Sequence, residues 1–335
     1  MKPFAAALAV VLAVAMTAAL SAQGASQLVV RDVYLMGTRA SLATYAGSRD
    51  AGLSALQSAL RALERTEAEL STWRDSSEIS TLNRQPIGTP WRATPAVCRL
   101  LDDVWRWQAA TGGAFDPAIG RLLTAWDVHG EGAVPNAADQ ARAASTSGLA
   151  HLAFDASRCT ATRLSDVAID VGAFGKGEAL DRAAAVMGRD PWMIDLGGQV
   201  SAGGLTHQGW PVAIAHPHNR TTPHLRLTLL HGSLSTSGGS ERDLTAGGTR
   251  VGHIFDPRTG RPAPFAGSVT VWHERGLTAD ILSTALYVMG PDEGLQWAAA
   301  HQVAAVYLIP EGSAAQTRMT AAFQTAAGIA LSAPE

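Results

Sequence analysis

The sequence is short of cysteine and of net charge, and both shortages exclude classes of protein. Cys98 and Cys159 are the only cysteines among 335 residues, so the chain has no CxxC motif and no cysteine cluster of the kind that binds metals. In an oxidising compartment the two could form a disulfide, but the sequence does not decide whether they pair. The 26 Lys and Arg and 29 Asp and Glu give a formal net charge of −3, which leaves no electrostatic footprint for nucleic acid.

The N-terminus lacks a hydrophobic run long enough to span a membrane. The apolar run from Phe4 to Met16 follows Lys2 and is shorter than the ~20 residues that a transmembrane helix needs. Small residues around Ser21-Ala22 follow it, as they do at a signal-peptidase site. Neither a nearby cysteine for a lipid anchor nor an Arg-Arg pair is present. We predict a signal peptide over residues 1–22 and an exported protein, in the periplasm or at the outer face of the inner membrane, with no membrane span after cleavage. The alternative is an N-terminal membrane anchor.

Three common motifs are absent as well. The glycine-rich stretch Ala168–Asp181, AIDVGAFGKGEALD, is not a Walker A loop, which needs four residues between its glycines and Ser or Thr after its Lys. The same stretch has no GxGxxG spacing, so it is not a dinucleotide fingerprint. Ser235 and Ser237 lack a glycine two residues before them, which the nucleophile elbow of a serine hydrolase requires.

The stretch nevertheless has the order of an anion-binding turn. We predict a strand over Ala168–Asp170, a glycine loop that carries Lys176, and a helix that opens at Glu178. Such a turn presents backbone N–H groups and a helix N-terminus to a phosphate, and the lysine adds a mobile positive charge. The alternative is a tight strand-to-helix connection with a solvated lysine.

Both helices and strands are predicted along the chain, so the fold class is α+β. Apolar periodicity, caps and turn residues set the elements. They are a β-hairpin over 28–45, an amphipathic helix from Leu53 to Leu70 with a loop to Asn83, a helix from Thr94 to Gly112-Gly113, an exposed helix over Asn136–Ser147, and strands over Met193–Leu196, Val212–Ala215, Leu225–Leu230, Val269–Trp272 and Val303–Ile309.

Two turns carry side chains suited to chemistry. Asp116, held extended by Pro117, is either a turn-former or a carboxylate that lines a ligand cleft. His253 ends a strand just before a turn over Asp256–Gly260, where it could transfer a proton near neutral pH. A lone histidine is more often a polar residue with a satisfied hydrogen bond.

One helix carries a possible metal site. Thr278 is predicted as its N-cap, which places Asp280 in the first turn. Asp280 and Thr284 share one helical face, and a carboxylate beside a hydroxyl offers the hard oxygen ligands that Mg²⁺ accepts. The alternative is an acidic residue that only complements the helix dipole.

Taken in order, the motifs resemble the ApbE family of FAD:protein FMN transferases. They are MGT at Met36, LSTW at Leu70, GGAFDP at Gly112, AIDVGAFGKGEALD at Ala168, IDLGGQ at Ile194, HIFDPRTGRP at His253 and LTADILSTAL at Leu277. The resemblance runs from about residue 30 to 310. It implies a single ApbE-like domain over residues 28–330, with mixed sheets, packed helices and a T-fold-like two-lobe architecture that holds the flavin in the cleft between the lobes.

The resemblance also implies roles for individual residues. The flavin would be contacted by a set drawn from several turns, namely Met36, Trp73, Ala114, Phe115, Asp116, Asp170, Lys176 and Ile254. The divalent ion, Mg²⁺, would be held by the carbonyl of Ala173 and by Asp280 and Thr284. Two departures stand out: many relatives have Tyr in place of Trp73, and many have Ile-Ala in place of Phe174-Gly175.

The implied activity is transfer of FMN from FAD to a threonine or serine hydroxyl of an acceptor protein with an FMN-binding domain, with release of AMP. In this hypothesis Asp280 anchors the ion, Lys176 neutralises phosphate charge, and His253 removes the proton of the hydroxyl. Two alternatives remain open at this point. Water could replace the acceptor, giving an FAD pyrophosphatase, or the protein could bind flavin without catalysis.

Overall fold

The computed structural model describes residues 26–205, 208–239, 244–246 and 249–331. The predicted signal peptide, residues 1–22, lies outside these residues. The helices are α1 (Arg49–Leu70), α2 (Glu78–Arg84), α3 (Pro95–Ala110), α4 (Gly120–Ala125), α5 (Ala137–Ser145), α6 (Gly175–Ala184), α7 (Gly276–Ala300) and α8 (Ala321–Thr325). The strands are β1 (Gln27–Leu35), β2 (Thr38–Ala46), β3 (Pro90–Arg92), β4 (Leu152–Asp155), β5 (Thr160–Arg163), β6 (Trp192–Leu196), β7 (Gln199–Gly203), β8 (Trp210–His216), β9 (Asn219–Leu229), β10 (Gly232–Gly238), β11 (Leu244–Ala246), β12 (Thr249–Val251), β13 (Phe255–Asp256), β14 (Arg261–Pro262), β15 (Ser268–His273), β16 (Ala304–Glu311), β17 (Ala314–Met319) and β18 (Ile329–Leu331).

An eight-stranded antiparallel sheet, in the order β1-β2-β6-β7-β10-β15-β16-β17, is the centre of the fold. Two three-stranded sheets accompany it, in the orders β18-β9-β8 and β3-β5-β4. The predicted N-terminal hairpin is confirmed, and its turn places Met36 and Gly37 at φ of 52° and 70°. Helices combined with antiparallel sheets confirm the α+β fold class.

The strands alternate their side chains between two differently covered faces of this sheet. Along β16, Ala305 and Tyr307 pack in a core shared with α3 and α7, whereas Val306 and Leu308 pack on the opposite side with β8, β9 and α8. Towards the β1 end, α1 and α6 cover the same face as α7. The helices that carry the candidate residues therefore lie side by side on one face of the sheet.

Local sequence explains where the two long N-terminal helices begin. Ser48 caps α1 by accepting a hydrogen bond from the amide of Ala51, and the buried leucines of α1 follow at helical spacing. Thr94 caps α3 and Pro95 takes its first turn, as predicted. Asn136 caps α5, which lies within the segment predicted as a helix. Cys98 of α3 is bonded to Cys159, with 5.3 Å between their Cα atoms, so the two cysteines do pair.

Four predictions about the glycine loop and about the helices α2, α6 and α7 were wrong. The segment to Asn83 is not all loop, because Ser77 caps α2 through the amide of Ser80. Residues 168–170 form no strand, and α6 opens at Gly175 rather than Glu178. Thr278 is not an N-cap, since α7 begins at Gly276 and Asp280 therefore stands in its second turn. In all four cases the partner that fixes the backbone is distant in sequence or is a single capping hydroxyl.

Among the residues described, no helix combines the length and the apolar character needed to cross a bilayer. The longest, α7, is interrupted at Gly290, where φ is 74° and Pro291 follows.

Candidate functional site

The glycine loop and helix α7 meet at the carboxylate of Asp280. The amide of Gly177 donates to Asp280 Oδ2 at 2.9 Å, and Lys176 Nζ lies 3.5 Å from Oδ1. Asp280 is 3% exposed. A buried carboxylate is stable when hydrogen bonds and an opposite charge satisfy it, and here the N-terminus of α6 supplies both. The structure thus brings Lys176 and Asp280, 104 positions apart in sequence, into one cluster.

Close packing of two glycines permits this meeting. A Cβ atom built on Gly177 would lie 2.7 Å from the carbonyl carbon of Gly276 and 2.7 Å from Leu277 Cα, and closer still to the Gly276 carbonyl oxygen. Any side chain at Gly177 would therefore push α6 and α7 apart. Asp181 joins the same contact, because its carboxylate accepts from the amides of Gly276 at 2.5 Å and Leu277 at 3.1 Å. Burial raises the pKa of Asp181 above its usual value, against the effect of these two amides.

A row of hydroxyl groups extends from Asp280 to Thr284. Ser235 Oγ lies 3.4 Å from Asp280 Oδ1 and 3.1 Å from Ser283 Oγ. Ser237 Oγ lies 3.0 Å from Ser283 Oγ and 3.5 Å from Thr284 Oγ1. Ser235 and Ser237 are two positions apart on β10, so their side chains lie on the same face of the sheet, the face that packs against α7. Thr284 Oγ1 donates to the Asp280 carbonyl at 3.3 Å, which commits its proton and leaves its lone pairs for another ligand.

The donor set fits a hard cation with few protein ligands. It consists of the Asp280 carboxylate and the Thr284 hydroxyl, one turn apart on α7. The third predicted ligand, the Ala173 carbonyl, belongs to the glycine loop two residues before α6 begins. In the described part of the chain no three His, Cys, Asp or Glu side chains are grouped to hold a metal ion. A cation here would complete its shell with oxygen ligands from water and substrate, which is the usual arrangement for Mg²⁺.

The glycine loop is fixed by the chain segments around it. Asn83 on α2 both donates to the carbonyl and accepts from the amide of Ile169, each at 2.8 Å. The amide of Asp170 donates to the Pro117 carbonyl at 2.8 Å. Asp170 Oδ1 in turn accepts from the amide of Gly172 at 2.8 Å. These contacts replace the strand that the sequence predicted at 168–170.

Trp73 and Asp170 lie on either side of His129. Asp170 Oδ2 is 3.6 Å from His129 Nε2, and the His129 and Trp73 rings meet edge to face with centroids 5.0 Å apart. Trp73 is 73% exposed, which is unusual for an indole and leaves its face available to a flat ligand. His129 was missed in the sequence, where it stands in a segment without a motif.

Met36 lines a pocket of about 410 Å³ together with other residues of the hairpin turn, residues of α1 and Arg74. Its amide donates to Glu67 Oε1 at 3.0 Å, and Glu67 Oε2 pairs with Arg74 at 2.7 Å. The Met36 methyl group is 3.9 Å from a Cβ built on Gly175, so this turn borders the glycine loop.

The turn that contains Ala114, Phe115 and Asp116 is buried. Both carboxylate oxygens of Asp116 are engaged by the amide of Leu149, at 3.2 and 3.0 Å, with further bonds from Ala118 and Gln108. Burial raises the pKa of Asp116, and these hydrogen bonds oppose the rise. The carboxylate thus fixes its own turn, and through Pro117 that turn supports the glycine loop.

His253 and Ile254 precede the strand β13. The prediction that His253 ends a strand was wrong, because β12 ends at Val251. Ile254 packs against the core that contains α7, and its carbonyl accepts from Ala263 at 2.8 Å. His253 is partly buried. The turn predicted after His253 is confirmed, because the amide of Gly260 donates to the backbone carbonyl of Asp256 at 2.9 Å. The Asp256 carboxylate accepts hydrogen bonds from the backbone amide and the guanidinium of Arg258.

Several residues that contact Asp280 or its helix were not predicted as part of the site. Ser235 and Ser237 were considered only as nucleophiles, although their i, i+2 spacing on a strand was a signal that they share a face. Asp181 and Ser283 gain their meaning only from contacts that cross between helices and strands.

Comparison with known proteins gives consistent matches. Residues 36–308 match the family model of the ApbE family. The FAD:protein FMN transferase of Klebsiella pneumoniae (strain 342) is 29% identical over 91% of this chain and 91% of its own length. That of Treponema pallidum (strain Nichols) is 30% identical over 71% of this chain and 72% of its own. The crystal structure of the ApbE protein of Thermotoga maritima aligns with a TM-score of 0.82 at 26% identity, over 89% of this chain and 98% of that one.

Proposed function

The chain belongs to the ApbE family, and from that premise we propose that it transfers FMN from FAD to a threonine or serine hydroxyl of an acceptor protein. The acceptor oxygen attacks the phosphorus of the FMN half, the phosphoanhydride bond breaks, and AMP leaves with the bridging oxygen. FMN is then joined to the acceptor through a phosphoester. The acceptor is a redox protein with an FMN-binding domain.

One observation carries this proposal beyond family membership: the meeting of the glycine loop with Asp280. The Lys176 ammonium lies 3.5 Å from the Asp280 carboxylate. In the proposed complex the diphosphate of FAD lies against the glycine loop, beside this ammonium. Phosphoryl transfer depends on positioning and on neutralising the charge of the phosphate oxygens more than on covalent catalysis. Lys176 supplies the charge, while the neighbouring amide of Gly177 is bonded to Asp280 and holds that carboxylate beside the loop.

Asp280, Thr284 and the Ala173 carbonyl are the residues that would hold Mg²⁺. When bound, Mg²⁺ would act as a Lewis acid on the phosphate oxygens. The proposal is supported by the buried carboxylate of Asp280 and by the commitment of the Thr284 proton to a backbone carbonyl, which leaves oxygen lone pairs available.

The flavin is proposed to lie between the hairpin turn and the loop region around Trp73. Met36 offers a thioether beside the 410 Å³ pocket, and the exposed Trp73 offers an aromatic face. The family resemblance adds Asp170 and Ile254 to the residues that contact the flavin. For the buried Ala114, Phe115 and Asp116 we propose contact through the backbone of their turn, since the Asp116 carboxylate is already engaged.

His253 is proposed as the base that takes the proton of the acceptor hydroxyl. Histidine is the side chain type most often used for proton transfer near neutral pH, and His253 directly precedes a turn fixed by Asp256 and Gly260. Asp256 shapes that turn rather than reacting, because Arg258 occupies its carboxylate.

Export to the periplasm is part of the proposal. The apolar run before Ser21-Ala22 has the character of a signal peptide. The disulfide between Cys98 and Cys159 supports the same location, since disulfides persist in oxidising compartments.

The test is incubation of the protein with FAD, Mg²⁺ and an exported redox protein that carries an FMN-binding domain. A fluorescent acceptor band in a denaturing gel with an equal amount of AMP supports the proposal. AMP without a labelled acceptor would indicate FAD hydrolysis, and neither product would indicate a flavin-binding protein. Asp280→Asn should abolish labelling, and Asp292→Asn, on an exposed position of the same helix, should not.

A further inference from the structure

Helices α6 and α7 cap one another. Neither helix has a side-chain hydrogen bond from its own N-cap residue, Phe174 in α6 and Arg275 in α7. A carboxylate from the partner helix takes that place in each case. Asp280 of α7 accepts from Gly177 at 2.9 Å, and Asp181 of α6 accepts from Gly276 at 2.5 Å.

The two reciprocal capping contacts have the same residue spacing in both helices. Gly177 precedes Asp181 by four residues, and Gly276 precedes Asp280 by four residues. A residue four positions along a helix lies on the same face, so each aspartate points back over its own glycine towards the other helix. The glycines bring the backbones together, since a Cβ on Gly276 would lie 2.9 Å from the Gly177 carbonyl oxygen.

We propose that Asp181 is a positioning residue that sets the place of the Asp280 carboxylate. Asp181 holds the first two amides of α7, and the position of α7 decides where Asp280 stands relative to the glycine loop. Each cap therefore supports the other: loss of the Asp181 contact releases the start of α7 and with it the bond from Gly177 to Asp280. The inference rests on the proposed function, in which Asp280 holds the metal ion.

The surrounding charges favour a role in position rather than in chemistry. Asp181 is flanked by Arg275, whose Nε lies 3.8 Å from it and whose guanidinium also pairs with Asp103 at 2.8 Å. Each of its two oxygens accepts a hydrogen bond from a backbone amide of α7. Mutation of residues that orient metal ligands typically lowers metal affinity by about 10–100-fold.

The experiment compares Asp181→Ala, Asp181→Asn and Glu178→Gln without FAD present. Glu178 is the matched control, because it is three residues from Asp181 on the same helix, partly buried, and bonded to Arg182 rather than to α7. Binding of Mn²⁺ alone is measured by electron paramagnetic resonance. Hydrogen exchange of the amides of Gly177 and Gly276 is measured on the same samples.

Asp181→Ala should weaken Mn²⁺ binding about 10-fold and speed exchange at both amides by a similar factor. Asp181→Asn keeps one acceptor oxygen and should lie between Asp181→Ala and the wild type, and Glu178→Gln should match the wild type. Asp181→Asn also serves as the test if the alanine variant fails to fold. Wild-type exchange at Gly177 in the Asp181 variants would overturn the inference. If exchange at Gly177 rises while Asp280→Asn leaves Mn²⁺ binding intact, the inference stands and the proposed metal site fails.

Discussion

Replacement of Gly177 by alanine is the sharpest test of the contact between the two helices. The added Cβ would lie 2.7 Å from the carbonyl carbon of Gly276 and from Leu277 Cα, and these atoms are backbone, which cannot rotate away. Ordinary contact needs about 3.4 Å or more, so the helices must separate by roughly 1 Å. Overpacking of this kind typically costs about 1–3 kcal/mol of folding stability.

The effect on activity should exceed the effect on stability. The same displacement lengthens the 2.9 Å bond from Gly177 to Asp280 and moves the carboxylate from the glycine loop. A misplacement of about 1 Å in a catalytic arrangement can cost about 100-fold in rate. We therefore expect Gly177→Ala to remain folded at 25 °C and to release AMP from FAD about 100-fold more slowly.

Gly175→Ala is the matched control for this prediction. It adds the same methyl group to the same turn of α6, but its nearest neighbours are side-chain atoms of Val171 at 3.4 and 3.5 Å, which is ordinary contact. We expect wild-type rates within about threefold, since the methyl displaces nothing. Equal rates for Gly177→Ala and Gly175→Ala, with both folded, would refute the claim that glycine contact sets the position of Asp280.

Three further predictions follow from other parts of the structure. Thr284→Val should raise the Mg²⁺ concentration for half-maximal AMP release about 10-fold with Thr284→Ser close to wild type, which a Mg²⁺ titration checks. Loss of the disulfide by Cys98→Ala with Cys159→Ala, which frees a loop with a sequence separation of 61, should lower the free energy of unfolding by about 4 kcal/mol in a urea titration, and an unchanged midpoint would contradict it. Burial raises the pKa of the Asp116 carboxyl above 3.8, so between the unfolded and the folded pKa the folded state keeps a proton that the unfolded chain has lost. The contribution of this group to folding stability is therefore present at low pH and is lost as the pH rises through the folded pKa. Asp116→Asn should remove that slope from the pH profile of the melting temperature, and parallel profiles would show the reasoning to be wrong.

Much of the fold could be predicted because its signals are local. Ser48, Thr94 and Asn136 cap helices through bonds within three residues, and the hairpin turn has Gly37 at a position where φ is positive. The predictions were wrong where a distant partner decides. Asn83 holds the segment that was predicted as a strand, and Asp181 starts α7 two residues before the predicted cap.

The candidate site shows the same division. Motifs predicted roles for Lys176, Asp280 and Thr284, and in the structure Lys176 lies 3.5 Å from the Asp280 carboxylate while Thr284 follows Asp280 by one turn of α7. The hydroxyls of Ser235 and Ser237 could not be assigned from sequence, since their role depends on β10 lying beside α7. Assembly of these residues from separate segments is a property of the packing, which no local pattern records.

The most direct test of the central claim is mass spectrometry of an FMN-binding redox protein coexpressed with this chain. The account predicts one added FMN on a single threonine or serine of that protein, absent when the chain carries Asp280→Asn and retained with Asp292→Asn. An unmodified redox protein, obtained while the wild-type chain is folded and converts FAD to free FMN and AMP, would contradict it.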